Sequence, residues 1–515
     1  MSRPVAVGHT DSDKDLAWAA APASGQNDQK QQQESESGYS YTGEAGEDHD
    51  ALRAIKVPTS TWVRRYRSVA FQMVIMALLA FSGPSMSNAI SNLGGGGLAT
   101  PYTANTASAT QYSVSAFIAM LGGPIVGTLG IPLCCIIGGI GFPLSGSGFY
   151  VNSKYGIQWY LIFAKAMYGI TSAFLYVAEA AAMISYPEEH RRGFYISVWV
   201  GMRNVGSIIG GAISFGLNIA RNGAGGVSVN TYLVFLGFEC LGVPAALLLS
   251  PTRKVIRDDG FGVPILPKKS WRRELKLLWE HHKQRRTLML IPVFALTYFG
   301  DGVWGTYMSL HFSVRSRALS TLICSLAAVF VNLAFGKILD TKKWGPRRKA
   351  IIAFWVFTIP GLAMLIWVMI NLHWFGTQPV SLRLDYAAHP GRWVACWFPN
   401  LIYATMSWTS QTLVYWVLGQ FASDVTTNAR TGGVFRSWET VGQAVSYGIN
   451  SHVGNKYVPF GIYFGLFVIA MPLFWQVVQT LPEHTKVANI ADEDGHVIDD
   501  AVAGKAVVPV VDARN

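Results

Sequence analysis

The chain has 515 residues, half of them hydrophobic and only 14% charged, with 52 glycines and a formal net charge of +11. In a soluble protein such a basic balance can point to nucleic acid. Here the Lys and Arg residues lie mostly in short segments beside long apolar runs, so membrane topology accounts for them and nucleic acid is excluded as a partner.

Residues 1–67 begin with a polar, acidic stretch containing a Gln-Lys-Gln-Gln-Gln run. Such a composition buries too little to fold, so this segment is expected to be a disordered tail. It lacks the charged-then-apolar start and early cleavage site of a secretory signal, which leaves the first span to act as an uncleaved anchor.

Twelve apolar segments follow, near 69–92, 111–130, 132–151, 157–184, 194–219, 230–250, 287–311, 318–339, 350–373, 393–420, 433–451 and 459–481. Each is roughly 20 residues, which at 1.5 Å rise matches the ~30 Å hydrocarbon core of a bilayer. The second and third are parted only by the turn Gly130-Ile131-Pro132. A polar loop, 251–286, divides the row into six (68–250) and six (287–481), and a second polar tail covers 482–515. With both ends cytoplasmic, the inner loops and flanks carry roughly 26 Lys and Arg and the outer ones about seven, as the positive-inside rule expects.

The central loop contains Ser-Trp-Arg-Arg-Glu-Leu-Lys-Leu-Leu-Trp-Glu-His-His-Lys-Gln (270–284), with Trp271, Leu275, Leu278 and Trp279 at helical spacing. With Ser270 as N-cap, this predicts a short amphipathic helix, either on the inner membrane surface or as a solvated linker between halves. His281 and His282 are read as solvated. The cysteines Cys134, Cys135, Cys240, Cys324 and Cys396 fall inside apolar segments without metal-type spacing and read as small packing residues.

After the eighth span come Gly336 and Asp340, then Gly345, Arg347, Arg348 and Lys349. This order resembles the signature cytoplasmic loop of the major facilitator superfamily, where an acid at a helix end pairs with loop cations and latches one conformation. The corresponding loop of the first half, around Gly127 to Pro132, lacks both acid and bases. In the fourth span Lys165 precedes Gly169 by four, where many members carry Arg then Gly. The pairs Val205-Gly206 and Val441-Gly442 echo one another between the fifth and eleventh spans, as internal repeats do in such transporters. The fifth span has no Gly-Pro pair of the drug-antiporter kind. Phe81 to Gly97, Tyr186 to Trp199 and the Ile-Ile-Gly-Gly that follows look most like the uncoordinated-ninety-three-like branch, in its fungal form. The resemblance implies an all-α polytopic membrane protein with twelve transmembrane helices in two six-helix bundles. It implies no substrate, because that branch holds channel accessory subunits and trafficking chaperones beside members taken to be transporters.

Ionisable side chains inside spans cost ~2.5–3.5 kcal/mol each on insertion scales, so each asks for a reason. Here they are Lys165, Glu179, Arg203, Glu239, Asp301, Arg436 and Glu439. Glu179 and Arg203 fall at similar depths, ~10–15 Å from the inner end of consecutive helices, where an ion pair of functional or purely structural kind is geometrically open. Asp301 lies mid-span with no cation within a turn, sharing a face with Trp304 and Met308 and flanked by Gly300, Gly302 and Gly305. A carboxyl held from water can load and release a proton, or can simply bond a neighbouring backbone.

In the superfamily the first, fourth, seventh and tenth spans line a central cavity. The first offers Ser85, Asn88 and Asn92, and the tenth Trp408, Gln411 and Tyr415, each set at helical spacing. Aromatic faces with a few amides suit an organic solute better than a small, highly charged one, although aromatics also pack or sit at the interface, as Trp159 and Trp393 are expected to do. Gly206-x-x-x-Gly210 and Ser207-x-x-x-Gly211 read as close helix packing. No metal-ligand spacing, phosphate-cradling loop or nucleophile-base pair is visible, so neither enzyme chemistry nor a cofactor is expected. The leading expectation is a secondary transporter working by alternating access. In it Asp301 carries a proton, Lys165, Glu179 and Arg203 form a polar network, and spans one, seven and ten hold the substrate. The alternative is a non-transporting escort or regulatory subunit of another membrane protein. No signal separates plasma membrane from vacuole.

Overall fold

A bilayer offers no partner to a free N–H or C=O, so apolar runs of this length close their backbone bonds internally as helices. The computed structural model describes residues 60–187, 189–257, 263, 271–341, 343–421 and 425–483. Among these residues the regular structure is helical, apart from two isolated bridges, Ser68 to Ile256 and Phe312 to Leu384. Residues 1–59 of the N-terminal tail, residues 484–515 of the C-terminal tail, and residues 258–262 and 264–270 of the central loop, Ser270 included, lie outside the described residues.

Twelve helical rods follow in order. In the first half these are α1 (Val69–Asn92), α2 (Tyr102–Met120 continued by Gly122–Leu129), α3 (Ile131–Tyr155), α4 (Gln158–Ser185), α5 (Glu189–Asn218) and α6 (Val229–Leu247). In the second half they are α7 (Arg285–His311), α8 (Val314–Asp340), α9 (Pro346–Gly376), α10 (Pro390–Gly419), α11 (Val425–Ile449) and α12 (Tyr457–Gln479). Among the described residues, eight of them, α1, α3, α4, α6, α7, α8, α9 and α12, are long and apolar enough to cross a membrane. Of the four more polar rods, α2, α5 and α11 run in pairs across the halves, α2 along α11 and α5 along α8. Their side chains meet protein there and not lipid, so their sequences need less hydropathy.

The second rod shows this directly. Hydropathy places its start near 111, whereas the helix begins at Tyr102. Asn105, Ser108 and Gln111 depress the apolar signal yet are buried.

α1 widens into a π-turn over Phe81–Ser85, where Pro84 has no N–H to give the Ala80 carbonyl. Ser85 Oγ stands 2.8 Å from that oxygen and 2.7 Å from the Arg203 carbonyl of α5, so its one proton serves either helix. Glycines of α5 then allow close approach. A Cβ on Gly206 would come within 2.6 Å of Ser85 Cβ, and one on Gly211 within 2.8 Å of the Leu322 backbone in α8.

Two expectations need correction. Trp393 is not an interfacial ring: it is 6% exposed and stacks on Trp397 at 4.8 Å. Trp159, by contrast, is 69% exposed. The central-loop helix, Trp271–Lys283, packs on α7 and α11 through buried Leu278 and His281 and leaves Leu275 and Trp279 exposed. His281 is therefore buried, with Nε2 3.3 Å from Thr431 Oγ1, and His282 Nδ1 lies 2.7 Å from the Leu278 carbonyl. Helical spacing groups these residues on a side; which part of it a neighbour covers is a tertiary matter.

Candidate functional site

Asp301 stands on α7 just after a turn at Thr297–Phe299 that interrupts the helix. The adjoining glycines bring neighbours in: Gly300 lies against the Tyr403 ring, and a Cβ on Gly302 would come 2.8 Å from Ser446 Oγ. The carboxylate is thereby wedged between α10 and α11. Tyr403 donates to Oδ1 at 2.5 Å and the Gln443 amide donates to Oδ2 at 3.0 Å. No cation pairs with it among the described residues. It also borders a cavity of about 10 Å³, room for roughly one water, shared with Ser91, Asn105, Ser108 and Tyr447. The acid thus belongs to the second half and looks onto the first.

Trp304, one turn on, is 1% exposed in the core of the second half, stacked on Tyr403 at 5.9 Å and edge-on to Phe460 at 5.1 Å. It braces the ring whose hydroxyl holds Asp301. Met308 is buried in the same core.

A second polar cluster spans five helices. Arg436 Nη1 and Glu439 Oε1 on α11 pair at 2.6 Å. Gln411 of α10 donates to both Glu439 oxygens at 3.3 and 3.2 Å and accepts from Tyr298 of α7 at 3.3 Å. Arg436 stands 5.8 Å from the centre of the Tyr176 ring on α4. Arg203 of α5 lies at the same distance from that ring and 5.9 Å from Trp408 of α10. Each half thus presents a guanidinium to an aromatic ring of the other.

The ion pair of Glu179 with Arg203 that their depths left open is not formed. Glu179 is 1% exposed, with the Trp199 indole N–H beside its carboxyl but outside hydrogen-bond geometry. Lys165 turns elsewhere, donating to Gln111 Oε1 of α2 at 2.9 Å with its ammonium over Phe149 and Tyr168. Glu239 is 1% exposed and leaves Oε2 unpaired. Lys165, Glu179 and Arg203 therefore do not touch one another. Asn88 is half-buried and Asn92 exposed.

In the first turn of α9, Arg347 Nη1 pairs with Glu483 Oε1 at 3.1 Å, and Arg348 lies 5.7 Å from the ring of Trp344 in the preceding loop. Gly345 packs against the Glu483 backbone, and Gly336 has open space around it. The side chain of Asp340 lies outside the described residues.

Tyr403, Gln443, Asn105, Tyr176 and Tyr298 escaped the sequence reading. Gln443 could have been found, since it follows Glu439 by four on one helix face. Asn105 lay before the apolar run, and nothing distinguishes three tyrosines among 21.

The sequence profile of the Major Facilitator Superfamily matches residues 68–384. The chain belongs to this superfamily. Its relatives include a protein of Aspergillus versicolor called notoamide biosynthesis cluster protein O′, 32% identical over 77% of this chain and 86% of that one. UNC93-like protein 1 of Arabidopsis thaliana is 26% identical over 79% and 88%, and an UNC93-like protein of Schizosaccharomyces pombe 24% over 89% and 94%. The Arabidopsis and Schizosaccharomyces relatives carry the UNC93-like name, in a plant and a fungus. Among solved structures, the xylose transporter of E. coli in a partially occluded inward-open state superposes with a TM-score of 0.54 at 14% identity, over 81% of this chain and all of that one. A POT peptide transporter with sulfate reaches 0.57 at 12%, over 80% and 95%. At such identities the likeness is one of fold: that of a multi-pass, helical membrane protein.

Proposed function

We propose that this superfamily member is a secondary transporter of a small organic solute, working by alternating access and coupled to protons through Asp301. The observation that carries the reading is the setting of Asp301: a buried acid between α10 and α11, held by neutral donors and facing a cavity shared with the first half. A carboxyl so placed gains or loses a proton without breaking an ion pair. Orphaned Glu179 and the Arg203, Tyr176, Arg436, Glu439 and Gln411 cluster form the polar lining that a solute would meet. With both termini cytoplasmic, the Arg347–Glu483 contact stabilises one state from the inner face. The Aspergillus relative, named for a biosynthesis cluster, suits a small organic cargo.

A non-transporting escort is the second reading. It is favoured by the α2–α3 turn at Gly130-Ile131, which lacks acid and base and so leaves the first half without an ionic latch. The test is metabolite uptake into proteoliposomes under an imposed proton gradient, comparing wild type with Asp301→Asn. Accumulation by wild type alone supports the proposal. Equal accumulation removes Asp301 from coupling, and well-folded protein that moves nothing across a broad library favours the escort.

A further inference from the structure

The end of the molecule where α7 finishes and α8 begins, opposite the Arg347 loop, is rich in cations. Among the described residues its carboxylate is Asp385, and that group is occupied by a two-pronged contact with Arg315, at 2.6 and 2.8 Å. At this end a cavity of about 170 Å³ opens between α7, α11 and α12. Its wall contains Lys456, His311 and His452 and no acidic residue. Lys456 has no carboxylate within 4 Å among the described residues; its ammonium lies 5.8 Å from the centre of the Tyr457 ring. His311 stacks on Phe375 at 4.0 Å, with no hydrogen bond to either ring nitrogen. The rest of the wall is largely apolar and flat, with Tyr102, Tyr307 and Phe460 as its rings.

Volume limits the occupant. Drug-sized sites run to ~300–1,000 Å³, whereas a cavity of about 150 Å³ takes one benzene ring. Charge sets its sign: the Lys456 ammonium, beside two imidazoles that can donate or accept and an aromatic wall, favours an anion with an apolar body.

Asn105 of α2 closes the inner end. Its amide donates to Thr306 Oγ1 at 2.8 Å and to the Asn450 carbonyl at 2.6 Å, and both acceptor residues line this cavity. The other side of Asn105 faces the small cavity beside Asp301. One amide therefore separates the Lys456 chamber from the proposed coupling acid.

We propose that the chamber between α7, α11 and α12 binds a small organic anion, an aromatic monocarboxylate in chemical class. The carboxylate lies toward Lys456 and the two imidazoles, and the ring lies against Tyr307 and Phe460. Its part as the vestibule of a transport path rests on the transporter reading; the binding itself does not.

Benzoate and neutral benzamide are the probes, titrated against the purified full chain with the thermal transition as readout. Benzoate should raise the transition saturably while benzamide leaves it unmoved. Lys456→Gln should weaken benzoate about tenfold, in keeping with loss of one charge-assisted contact, and Lys456→Arg should retain it. Equal effects of the two probes, no saturable shift, or a Lys456→Gln variant that binds as wild type would each overturn the site. Lys456-dependent binding by a protein that transports nothing would keep this site and remove the transporter reading. Uptake without such binding would do the reverse.

Discussion

The hydroxyl of Tyr403 donates to Asp301 Oδ1 across the gap between α10 and α7, and Trp304 stacks on the ring that carries it. Proton occupancy of one carboxyl is thereby tied to the relative position of two helices. When Asp301 is protonated, it becomes a donor and Tyr403 must rotate its own proton away or yield as acceptor. Replacing Tyr403 by Phe leaves Oδ1 without its donor, a loss of about 1–3 kcal/mol for a buried charged acceptor. Uptake by Tyr403→Phe should therefore show an altered pH dependence, with solute exchange at equal pH largely kept. An unchanged pH profile would count against coupling through this acid.

The Arg436–Glu439 pair lies between the halves, with the Glu439 side chain 4% exposed. Removing one member of a buried pair strands the other charge and typically costs about 3–5 kcal/mol, whereas apolar replacement of both is often neutral. Arg436 is about a third exposed, so the lower part of that range applies. Glu439→Ala should melt well below wild type and the double variant Arg436→Met/Glu439→Met closer to it. Melting of the purified variants checks the order, and the reverse order would show that Arg436 finds other solvation.

Gly94 joins α1 to α2 with φ +74°, and a Cβ there would meet the Gly305 carbonyl of α7 at 2.6 Å. Both the left-handed backbone and the close approach demand glycine. Gly94→Ala should pry the halves apart at this end without touching either core. A cysteine placed at Ser91 should then react faster with a water-soluble thiol reagent than in the Gly94 parent. An equal rate would mean that this contact does not seal the cavity.

Asp385 lies between α9 and α10, outside the spans. Burial alone would push its carboxyl up, but hydrogen bonds from Arg315, Ser313 and the Ala387 N–H outweigh that and hold it well below the usual carboxylate range. A depressed acid contributes stability that is present above its unfolded pKa of about 3.9 and is lost as pH falls through the folded value. Acidification below about pH 4 should lower the melting temperature of wild type more than that of Asp385→Asn. Parallel curves would show that another group governs acid stability.

Arg347 and Glu483 are 39% and 72% exposed in their side chains. An exposed pair of this kind is worth below about 1 kcal/mol and is screened by salt. Arg347→Gln should leave melting within a degree or two of wild type. Any effect should appear in uptake rate and fade at high ionic strength; a large drop in melting would make the loop structural.

Segment length and polarity by themselves determined that the chain spans a membrane many times, because a bilayer accepts only internally bonded helices of a set length. The ordered residues from Gly336 to Lys349 brought the superfamily into view, and Asp301 stood out because an acid in a span is costly wherever it sits. The partners of these charges were not legible. Lys165 reaches Gln111 across 54 positions of chain and Asp301 reaches Tyr403 and Gln443 across 102 and 142. Such contacts follow from helix rotation and tilt, which one-dimensional spacing leaves open. Interhelical packing decided them, and so set Glu179 beside the Trp199 indole and Arg203 near the rings of Tyr176 and Trp408, where spacing alone had left an ion pair open.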